Sequence, residues 1–352
     1  RMRIESDRVG IMGGIRHGLT LGSPVCLVVA NGDWANWREE MSAEEPAPGW
    51  RSERRVTVPR PGHADLSGGA KFGHADMRNV LERASARETV GRVAGGVICR
   101  LLLAEIGVSI VSRTISIGGI VAESRPPGEE DWDAVEASDL RCADETAGEL
   151  MHARIDEAKA TGDSVGGVVE VVVLGAPPGL GSYVAWDERL DGRLAQALMS
   201  VPAIKGVEIG AGFAAAELPG SEVHDPIEWD GSGGWAFVRP SNNAGGIEGG
   251  VTNGEPIVAR LAMKPIPTLT KPLASVDTSS GEAVEAHAER SDVCAVPAAG
   301  VVAEAMVALT LASAALEKFG GDTVGDMRAA RDAYMSRLGL PWSGGRTDGS
   351  EA

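Results

Sequence analysis

The chain has 352 residues, 43% of them hydrophobic and only 4% aromatic, so it can bury a full core built mainly on Val, Ile, Leu and Ala. Its net charge of −17 argues against general nucleic-acid binding, and no apolar run in the sequence reaches membrane-spanning length. The four cysteines form no Cys-x-x-Cys pair, which argues against a metal site and fits a reduced, cytoplasmic protein.

The first part of the chain is predicted to contain short strands, a long loop and one central helix. Apolar residues predict strands between residues 4 and 15 and at 25–29, where the strand is apolar enough to be covered on both faces. Residues 31–58 show no sustained period and predict a long loop, of the kind that forms a lid or is disordered. Helical spacing runs from residue 90 to residue 102, and Gly107 is expected to end this helix.

The later part of the chain alternates strands and helices, which points to sheets covered by helices. Strands are predicted at residues 108–121, 165–174, 206–210 and 257–263, and helices at 144–159, 186–201 and 301–319. In the first of these helices, Leu150, Met151 and Ile155 are expected on the inner side. We expect one domain over residues 1–330, followed by a helix end and a disordered tail over 331–352.

Residues 60–66 (RPGHADL) gather ionisable side chains on a predicted turn. The adjacent proline and glycine favour a turn or loop over a helix. Arg60, His63 and Asp65 then supply a cation, an imidazole and a carboxylate within six residues. Histidine is the natural acid or base near neutral pH, and of the six histidines only His63 has such partners nearby in sequence.

Residues 83–89 (RASARET) predict an anion-binding helix start. Ser85 and Glu88 have the spacing of a capping box, in which the serine caps the helix and the glutamate reaches back. The free N–H groups of such a helix end suit a phosphate or carboxylate, and Arg83 and Arg87 flank it. A surface helix whose arginines face solvent explains the same spacing equally well.

Three later segments carry further candidates. Residues 239–250 are rich in glycine, which allows close backbone approach to a ligand, although they lack the dinucleotide-binding fingerprint. Residues 264–268 (KPIPT) form either a plain proline turn or a loop that places Lys264 and Thr268 rigidly. Arg290 and Asp292, two positions apart, have the spacing of an ordinary surface ion pair.

Taken together, these segments resemble the chorismate synthase family, and the agreement runs from residue 1 to about residue 321. The matching stretches, in the family's order, are 60–66 with 71–73, 83–89, 202–206, 252–254, 264–268 and 290–297. The resemblance implies an α+β fold, a β-α-β sandwich with helices packed between antiparallel or mixed sheets and two similar halves. It implies a homotetramer with reduced FMN in each subunit.

The implied reaction is carried out by a lyase of the shikimate pathway, the route to the aromatic amino acids. It is a trans-1,4 elimination of phosphate from 5-enolpyruvylshikimate 3-phosphate that gives chorismate without net redox change. The flavin would be reduced with NADPH by a bifunctional chain or by a separate flavin reductase. The resemblance implies no metal, nucleic-acid or membrane partner.

The resemblance also assigns roles to individual residues. The catalytic residues it implies are His63, Asp292 and Ser85. The implied flavin-binding residues are Arg83, Ala84, Ser85, Pro202, Ala203, Gly249, Lys264, Pro265, Ile266, Pro267, Thr268 and Arg290. The implied substrate-binding residues are Arg1, Arg60, Ala86 and Arg87.

The chain departs from the family pattern mainly at its start. Family members begin with several dozen further residues, which carry a second histidine and phosphate-binding arginines, so we expect this chain to be truncated at its N-terminus. Phe72 replaces the usual tyrosine, and Val293 stands where many members have proline. The alternative to a lyase is a truncated, non-catalytic family member that binds flavin or phosphate.

Overall fold

The computed structural model describes residues 8–123, 125–230, 235–286 and 291–338. Its strands are β1 (Val9–Gly13), β2 (Ile15–Arg16), β3 (Leu19–Thr20), β4 (Cys26–Val29), β5 (Ser109–Ile117), β6 (Ile120–Val121), β7 (Gly167–Leu174), β8 (Ile204–Ile209), β9 (Glu228–Trp229), β10 (Phe237–Val238), β11 (Ile247–Glu248), β12 (Val251–Thr252), β13 (Ile257–Met263), β14 (Ala274–Val276) and β15 (Ala283–Glu285). Its helices are α1 (Asp65–Phe72), α2 (Arg78–Arg83), α3 (Thr89–Ala104), α4 (Trp132–Ala137), α5 (Glu145–Thr161), α6 (Leu190–Met199), α7 (Gly220–Val223), α8 (Val296–Phe319) and α9 (Val324–Ser336).

The described residues fall into two compact units. The first unit takes its described residues from 8–94, 155–165, 265–286 and 291–294. The second unit takes its described residues from 95–123, 125–154, 166–230, 235–264 and 295–338.

The second unit is built on a five-stranded antiparallel sheet with the strand order β6-β5-β7-β13-β8. Strands β7 and β13 are rich in valine, leucine and isoleucine, whose branched side chains suit a pleated, buried surface. Helix α8 packs on β5 and β7, and α6 packs on β8 and α8. The fold is therefore α+β with an antiparallel sheet, as expected.

Helix α8 is a core helix of this unit. By length and composition it is the one helix among the described residues that could cross a membrane, but 67% of its apolar window is buried inside the protein. Small residues let α3 and α8 pack closely. A Cβ added to Gly96 of α3 would collide with Ala305 of α8. The one buried carboxylate of α8, Glu304, pairs with Arg141 at 2.8 Å and with Arg100 at 2.7 Å.

Adjacent glycines in α3 give a test of this packing. Replacing Gly96 with alanine is expected to destabilise the protein by about 1–3 kcal/mol, because the added methyl group overpacks the contact with Ala305. Gly95→Ala is the matched control, since a Cβ there meets nothing within 4 Å. That change should instead stabilise the helix by about 0.5–1 kcal/mol. Urea denaturation of both variants measures the difference, and equal effects would contradict the close approach.

The first unit contains the two-stranded sheets β1-β4, β2-β3 and β14-β15 together with α1 and α2. Helices α1 and α2 pack closely, since a Cβ on Gly68 would press on the Val80 side chain. The predicted long loop is confirmed, with only a short 3₁₀ turn at Trp34–Asn36. The loop is partly held by its own side chains, because Trp37 donates to Asp33 at 2.8 Å and the guanidinium of Arg54 lies 4.2 Å from the centre of the Trp37 ring.

Several predictions about individual elements need correction. The strand at 25–29 is not covered on both faces: among the described residues β4 pairs with β1 alone, and Val28 is exposed. In α5, Met151 is fully buried as predicted, but Leu150 points outward. Neither α4 nor α1 was predicted from the sequence, and both helices are short. The predicted tail from residue 339 onward lies outside the described residues.

Candidate active site

A tight turn presents the ionisable side chains of the first motif. The N–H of His63 donates to the carbonyl of Arg60 at 3.2 Å, and Gly62 has a φ of 79°. Proline at the second position and a positive φ at the third are the features of a type II turn, so this segment folds as it does for local reasons. Helix α1 begins at Asp65, directly after the turn. The predicted turn is confirmed.

Arg60 is the centre of a hydrogen-bonded cluster within the first unit. Its Nε donates to Asp65 Oδ2 at 2.9 Å, and its Nη1 donates to Thr268 Oγ1 at 2.9 Å. Its Nη2 lies 3.0 Å from His63 Nδ1. The Arg60 side chain is only 8% exposed, and a charge so deeply buried needs a charged partner. Asp65 supplies it, and together these four side chains form the Arg60 cluster.

Asp65 is wholly buried, with 0% of its side chain exposed. Its Oδ1 lies 2.6 Å from His63 Nδ1, and its Oδ2 also accepts the backbone N–H of Arg60 at 3.1 Å. Burial raises the pKa of Asp65, but the hydrogen bonds from His63 and Arg60 outweigh burial and hold that pKa well below its usual range. Asp65 is therefore an ionised carboxylate at neutral pH.

The loop at 264–268 places Thr268 as predicted. The hydroxyl of Ser164 donates to the carbonyl of Ile266 at 2.7 Å, between the two prolines. Two residues later, Thr268 accepts the hydrogen bond from Arg60. Nearby, Ser275 Oγ donates to the Pro59 carbonyl at 2.6 Å, which ties the residue before Arg60 to β14. A loop distant in sequence therefore completes the Arg60 cluster.

The predicted capping box at Ser85 is wrong. Ser85 Oγ accepts the N–H of Arg87 at 3.2 Å, residues 86–88 form a 3₁₀ turn, and α3 begins only at Thr89. The Glu88 carboxylate bonds Nε of Arg92 at 2.8 Å instead of reaching back to Ser85. Arg92, one helical turn along, offers this carboxylate a charged partner, and an i,i+4 pair of this kind stabilises a helix by about 0.2–0.5 kcal/mol.

Two arginines flank the Ser85 turn. Arg83, the last residue of α2, is 77% exposed, and its Nη1 lies 3.9 Å from Glu88. Arg87 is half-buried and donates to the carbonyl of Ala30 at 3.5 Å. Between them, Ala84 closes α2 by donating to the carbonyl of Val80. This arrangement suits an anion, and the anion site at this turn remains a prediction.

A glycine hairpin in the second unit joins β11 to β12. Gly249 and Gly250 have φ values of 60° and 88°, which is the requirement of a two-residue type I′ turn. A Cβ added at Gly249 would meet nothing within 4 Å, so its backbone faces open space. One residue beyond the hairpin, Asn253 Nδ2 is buried and has no hydrogen-bond partner among the described residues. The tip of this hairpin leaves room for a ligand.

The glycine-rich segment is held by one carboxylate. Asp225 Oδ1 accepts Ser241 Oγ at 2.6 Å and the N–H of Asn243 at 2.8 Å, while its Oδ2 accepts the N–H of Ala244 at 2.9 Å. Burial raises the pKa of Asp225, but these three hydrogen bonds outweigh it, and the pKa lies below its ordinary value. The ionised form is therefore the one that holds the loop.

Because an ionised Asp225 holds this loop, we expect the loop to be sensitive to acid. Because its folded pKa is depressed, its contribution to stability is fully present above the unfolded value of about 3.9 and is lost as the pH falls through the folded pKa. Asp225→Asn is expected to be less stable than the unchanged chain by about 1–2 kcal/mol at neutral pH. The difference in the free energy of unfolding should shrink below about pH 4. A difference that is independent of pH would contradict this role.

The turn at 201–204 includes two of the predicted cofactor residues. The N–H of Ile204 donates to the carbonyl of Val201 at 3.2 Å, and Ala203 has a φ of 67°. A positive φ is strained for alanine and persists only where the surroundings enforce it. The carbonyl of Ala203 accepts the N–H of Lys264 at 3.0 Å. Pro202, Ala203 and Lys264 are therefore brought together within the second unit.

The remaining predicted site residues are Asp292, Arg1, Arg290 and Ala86. Asp292 lies on an exposed stretch before α8. Arg1 and Arg290 lie outside the described residues, as does the side chain of Ala86. The site residues implied by the resemblance did not include Asp65, Asp225 or Asn253, although the sequence placed Asp65 beside His63 and Asn253 in a matching stretch. The presence of a carboxylate two residues after His63 was the only signal available for Asp65, and its burial was not visible in the sequence.

The Arg60 cluster can bind an anion and exchange a proton with it, because it joins a buried guanidinium to an imidazole. Among the described residues, no group of three or more His, Cys, Asp or Glu side chains is placed to hold a metal ion. A buried guanidinium beside an imidazole is the combination expected of an enzyme that acts on a phosphorylated or carboxylated small molecule.

Comparisons with known proteins define this class further. The family model described as chorismate synthase matches residues 1–316. The chain is 56% identical over 344 residues to chorismate synthase of Trichlorobacter lovleyi and 55% identical over 338 residues to that of Moorella thermoacetica. Each match covers 96% of this chain and 87% of the relative. A solved crystal structure of chorismate synthase is similar with a TM-score of 0.73 and 42% identity, covering 94% of this chain and 85% of that one.

The chain belongs to the chorismate synthase family. These lyases convert 5-enolpyruvylshikimate 3-phosphate to chorismate in the shikimate pathway, which leads to the aromatic amino acids, and the family implies reduced FMN as cofactor. The resemblance drawn from the motifs is confirmed.

Proposed function

We propose that this chain performs the trans-1,4 elimination with the Arg60 cluster at the substrate and the glycine hairpin at the flavin. The observation that carries the proposal is the wholly buried Asp65, which binds both the Arg60 guanidinium and the His63 imidazole. A cation for a leaving phosphate and a proton-exchanging ring are the two functions that the elimination requires of the protein.

Arg60 is proposed to stabilise the departing phosphate. Its guanidinium is fixed by Asp65 and Thr268, so it is already oriented before the substrate arrives. A fixed donor costs no reorganisation as negative charge develops on the leaving oxygen. Arg87, Ala86 and Arg1 are proposed as further substrate contacts, with Arg87 at the 3₁₀ turn that follows Ser85.

His63 is proposed as the proton-exchanging residue. Its side chain is only 16% exposed, which limits the access of water to the ring. Ser85 is proposed as a hydroxyl donor at the same centre, and Asp292 as the carboxylate that receives the proton removed in the elimination. The exposed position of Asp292 is compatible with passing that proton to solvent.

The residues present fit a bound flavin. Reduced FMN, when bound, lends electron density to the elimination and regains it, so there is no net redox change. Open backbone at Gly249 and the spare buried donor of Asn253 suit a flat ring that carries carbonyl oxygens and ring nitrogens. The remaining residues proposed to hold the cofactor are Arg83, Ala84, Pro202, Ala203, Lys264, Pro265, Ile266, Pro267, Thr268 and Arg290.

Further features of the family are proposed for this chain on the strength of the family assignment. They are a cytoplasmic homotetramer, a β-α-β sandwich with two similar halves, one functional domain over residues 1–330, and reduction of the flavin with NADPH either by this chain or by a separate reductase. Size-exclusion chromatography with light scattering tests the tetramer, and anaerobic NADPH oxidation by the purified chain tests intrinsic reduction.

Phosphate release tests the function directly. The chain is incubated without oxygen with chemically reduced FMN and 5-enolpyruvylshikimate 3-phosphate, and we expect stoichiometric phosphate and chorismate without net oxidation of the flavin. A chain that binds both ligands, as judged by equilibrium titration, but releases no phosphate would be the non-catalytic family member and would overturn the lyase proposal. Omitting the flavin is the control for spontaneous hydrolysis.

A further inference from the structure

We propose that Asp65 is a positioning residue of this site, which holds His63 in the tautomer with hydrogen on Nδ1 and leaves Nε2 as the basic nitrogen. What the inference predicts for turnover depends on the proposed role of His63. Its structural content, the tautomer of one ring, can be measured without cofactor or substrate.

The hydrogen-bond inventory of Asp65 fixes the direction of each bond. Oδ2 accepts from the backbone N–H and from Nε of Arg60, at 3.1 and 2.9 Å. Oδ1 accepts from Arg60 Nη2 at 3.1 Å and lies 2.6 Å from His63 Nδ1. An ionised carboxylate can only accept hydrogen bonds. The hydrogen between Oδ1 and Nδ1 must therefore belong to His63.

Arg60 supports the same assignment. A guanidinium has donors and no acceptor, so its Nη2 can bond only a ring nitrogen with a free lone pair. Nη2 lies 3.0 Å from Nδ1 and 3.4 Å from Nε2, so when Nδ1 donates to Asp65 it is the lone pair on Nε2 that remains to accept from Arg60. With hydrogen on Nδ1, the neutral ring satisfies both neighbours. In the opposite tautomer Nδ1 could accept from Arg60 at 3.0 Å, but its lone pair would lie 2.6 Å from an ionised carboxylate oxygen with no hydrogen between them, and this repulsion disfavours that form.

A carboxylate in this position does two things for a reacting imidazole. It fixes the ring orientation and tautomer, and it stabilises the ring when the ring gains a proton at the other nitrogen. Replacing the aspartate by asparagine in such a pair keeps the shape but offers an amide N–H group where only acceptors are wanted. Asp65→Asn is accordingly expected to lower turnover by about 10²–10⁴-fold, with reduced-FMN affinity changed by only a few fold.

The decisive measurement is ¹⁵N NMR of the histidine rings in the whole chain, without flavin or substrate, at neutral pH. In the unchanged chain we expect His63 with hydrogen on Nδ1 and none on Nε2. In Asp65→Asn we expect a shift toward the Nε2–H form. Asp76→Asn is the control, because Asp76 accepts the backbone N–H groups of Val56 and Arg78 and its loss should leave the His63 signals unchanged. Signals are assigned by comparison with His63→Gln.

The outcomes separate this inference from the lyase proposal. An Nε2–H ring in the unchanged chain overturns the inference, even if phosphate is released and even if Asp65→Asn fails to fold. An Asp65→Asn chain with the original tautomer and the original turnover also overturns it. The Nδ1–H ring in a chain that binds both ligands without releasing phosphate upholds the inference and overturns the lyase proposal alone.

Discussion

Replacing His63 with alanine is expected to lower the rate of phosphate release by about 10²–10⁴-fold, the usual contribution of a positioned acid or base. The imidazole is the ring held between the buried Asp65 carboxylate and the Arg60 guanidinium, so its loss removes the proton-exchanging group and leaves the cation in place. Binding of reduced FMN should change little, because the proposed flavin contacts lie on other segments. Single-turnover phosphate release and anaerobic flavin titration measure the two effects separately.

The control for this variant is His152→Ala. His152 is half exposed and pairs at 3.0 Å with Asp139, which is itself 77% exposed, and surface pairs of this kind contribute little. It should retain normal turnover. Unchanged turnover in His63→Ala would remove His63 from the catalytic residues, and a parallel loss in both variants would point to a general effect on folding.

Replacing Arg60 with alanine is expected to damage both stability and turnover. The change leaves the wholly buried Asp65 carboxylate without its cation, and breaking a buried ion pair in this way costs about 3–5 kcal/mol. It also removes the donor to Thr268 and the proposed contact with the leaving phosphate. Urea denaturation measures the first effect, and the substrate dependence of phosphate release measures the second.

Arg55→Ala is the matched control for Arg60→Ala. Arg55 lies five positions earlier on the same segment, is exposed, and makes a long hydrogen bond of 3.3 Å to the carbonyl of Ala75. Its loss should change the free energy of unfolding by no more than about 0.5 kcal/mol. Arg60→Lys should recover part of the stability but not the forked contact with Asp65, since an ammonium group cannot reproduce a planar fork. Equal stability of Arg60→Ala and Arg55→Ala would contradict the central role of Arg60.

Local chemistry accounts for the predictions that were confirmed. The Arg60–His63 turn follows from a proline and a glycine in the required positions, and the strand at 257–263 and the helix ending at Phe319 follow from their apolar patterns. Family membership was likewise evident from short motifs, because each motif is a contiguous stretch of chain. These features depend on neighbours a few residues away, which a sequence displays directly.

The wrong predictions share a different cause. Cys26–Val29 is apolar enough for a buried strand, yet in the part of the chain that the structure describes it has one partner strand and an exposed face. Glu88 has the spacing of a capping box, yet it bonds Arg92. In both cases the local pattern allowed two outcomes, and the choice depended on which partner was nearby in space.

By itself, the sequence determined the family, the turn that carries His63 and the identity of the charged groups beside it. Only the tertiary structure decided that Asp65 is fully buried and that Thr268, 208 positions after Arg60, completes the cluster. The physical reason is that the strength of a charge pair depends on its removal from water. That removal is produced by packing between segments far apart along the chain, which no local pattern encodes.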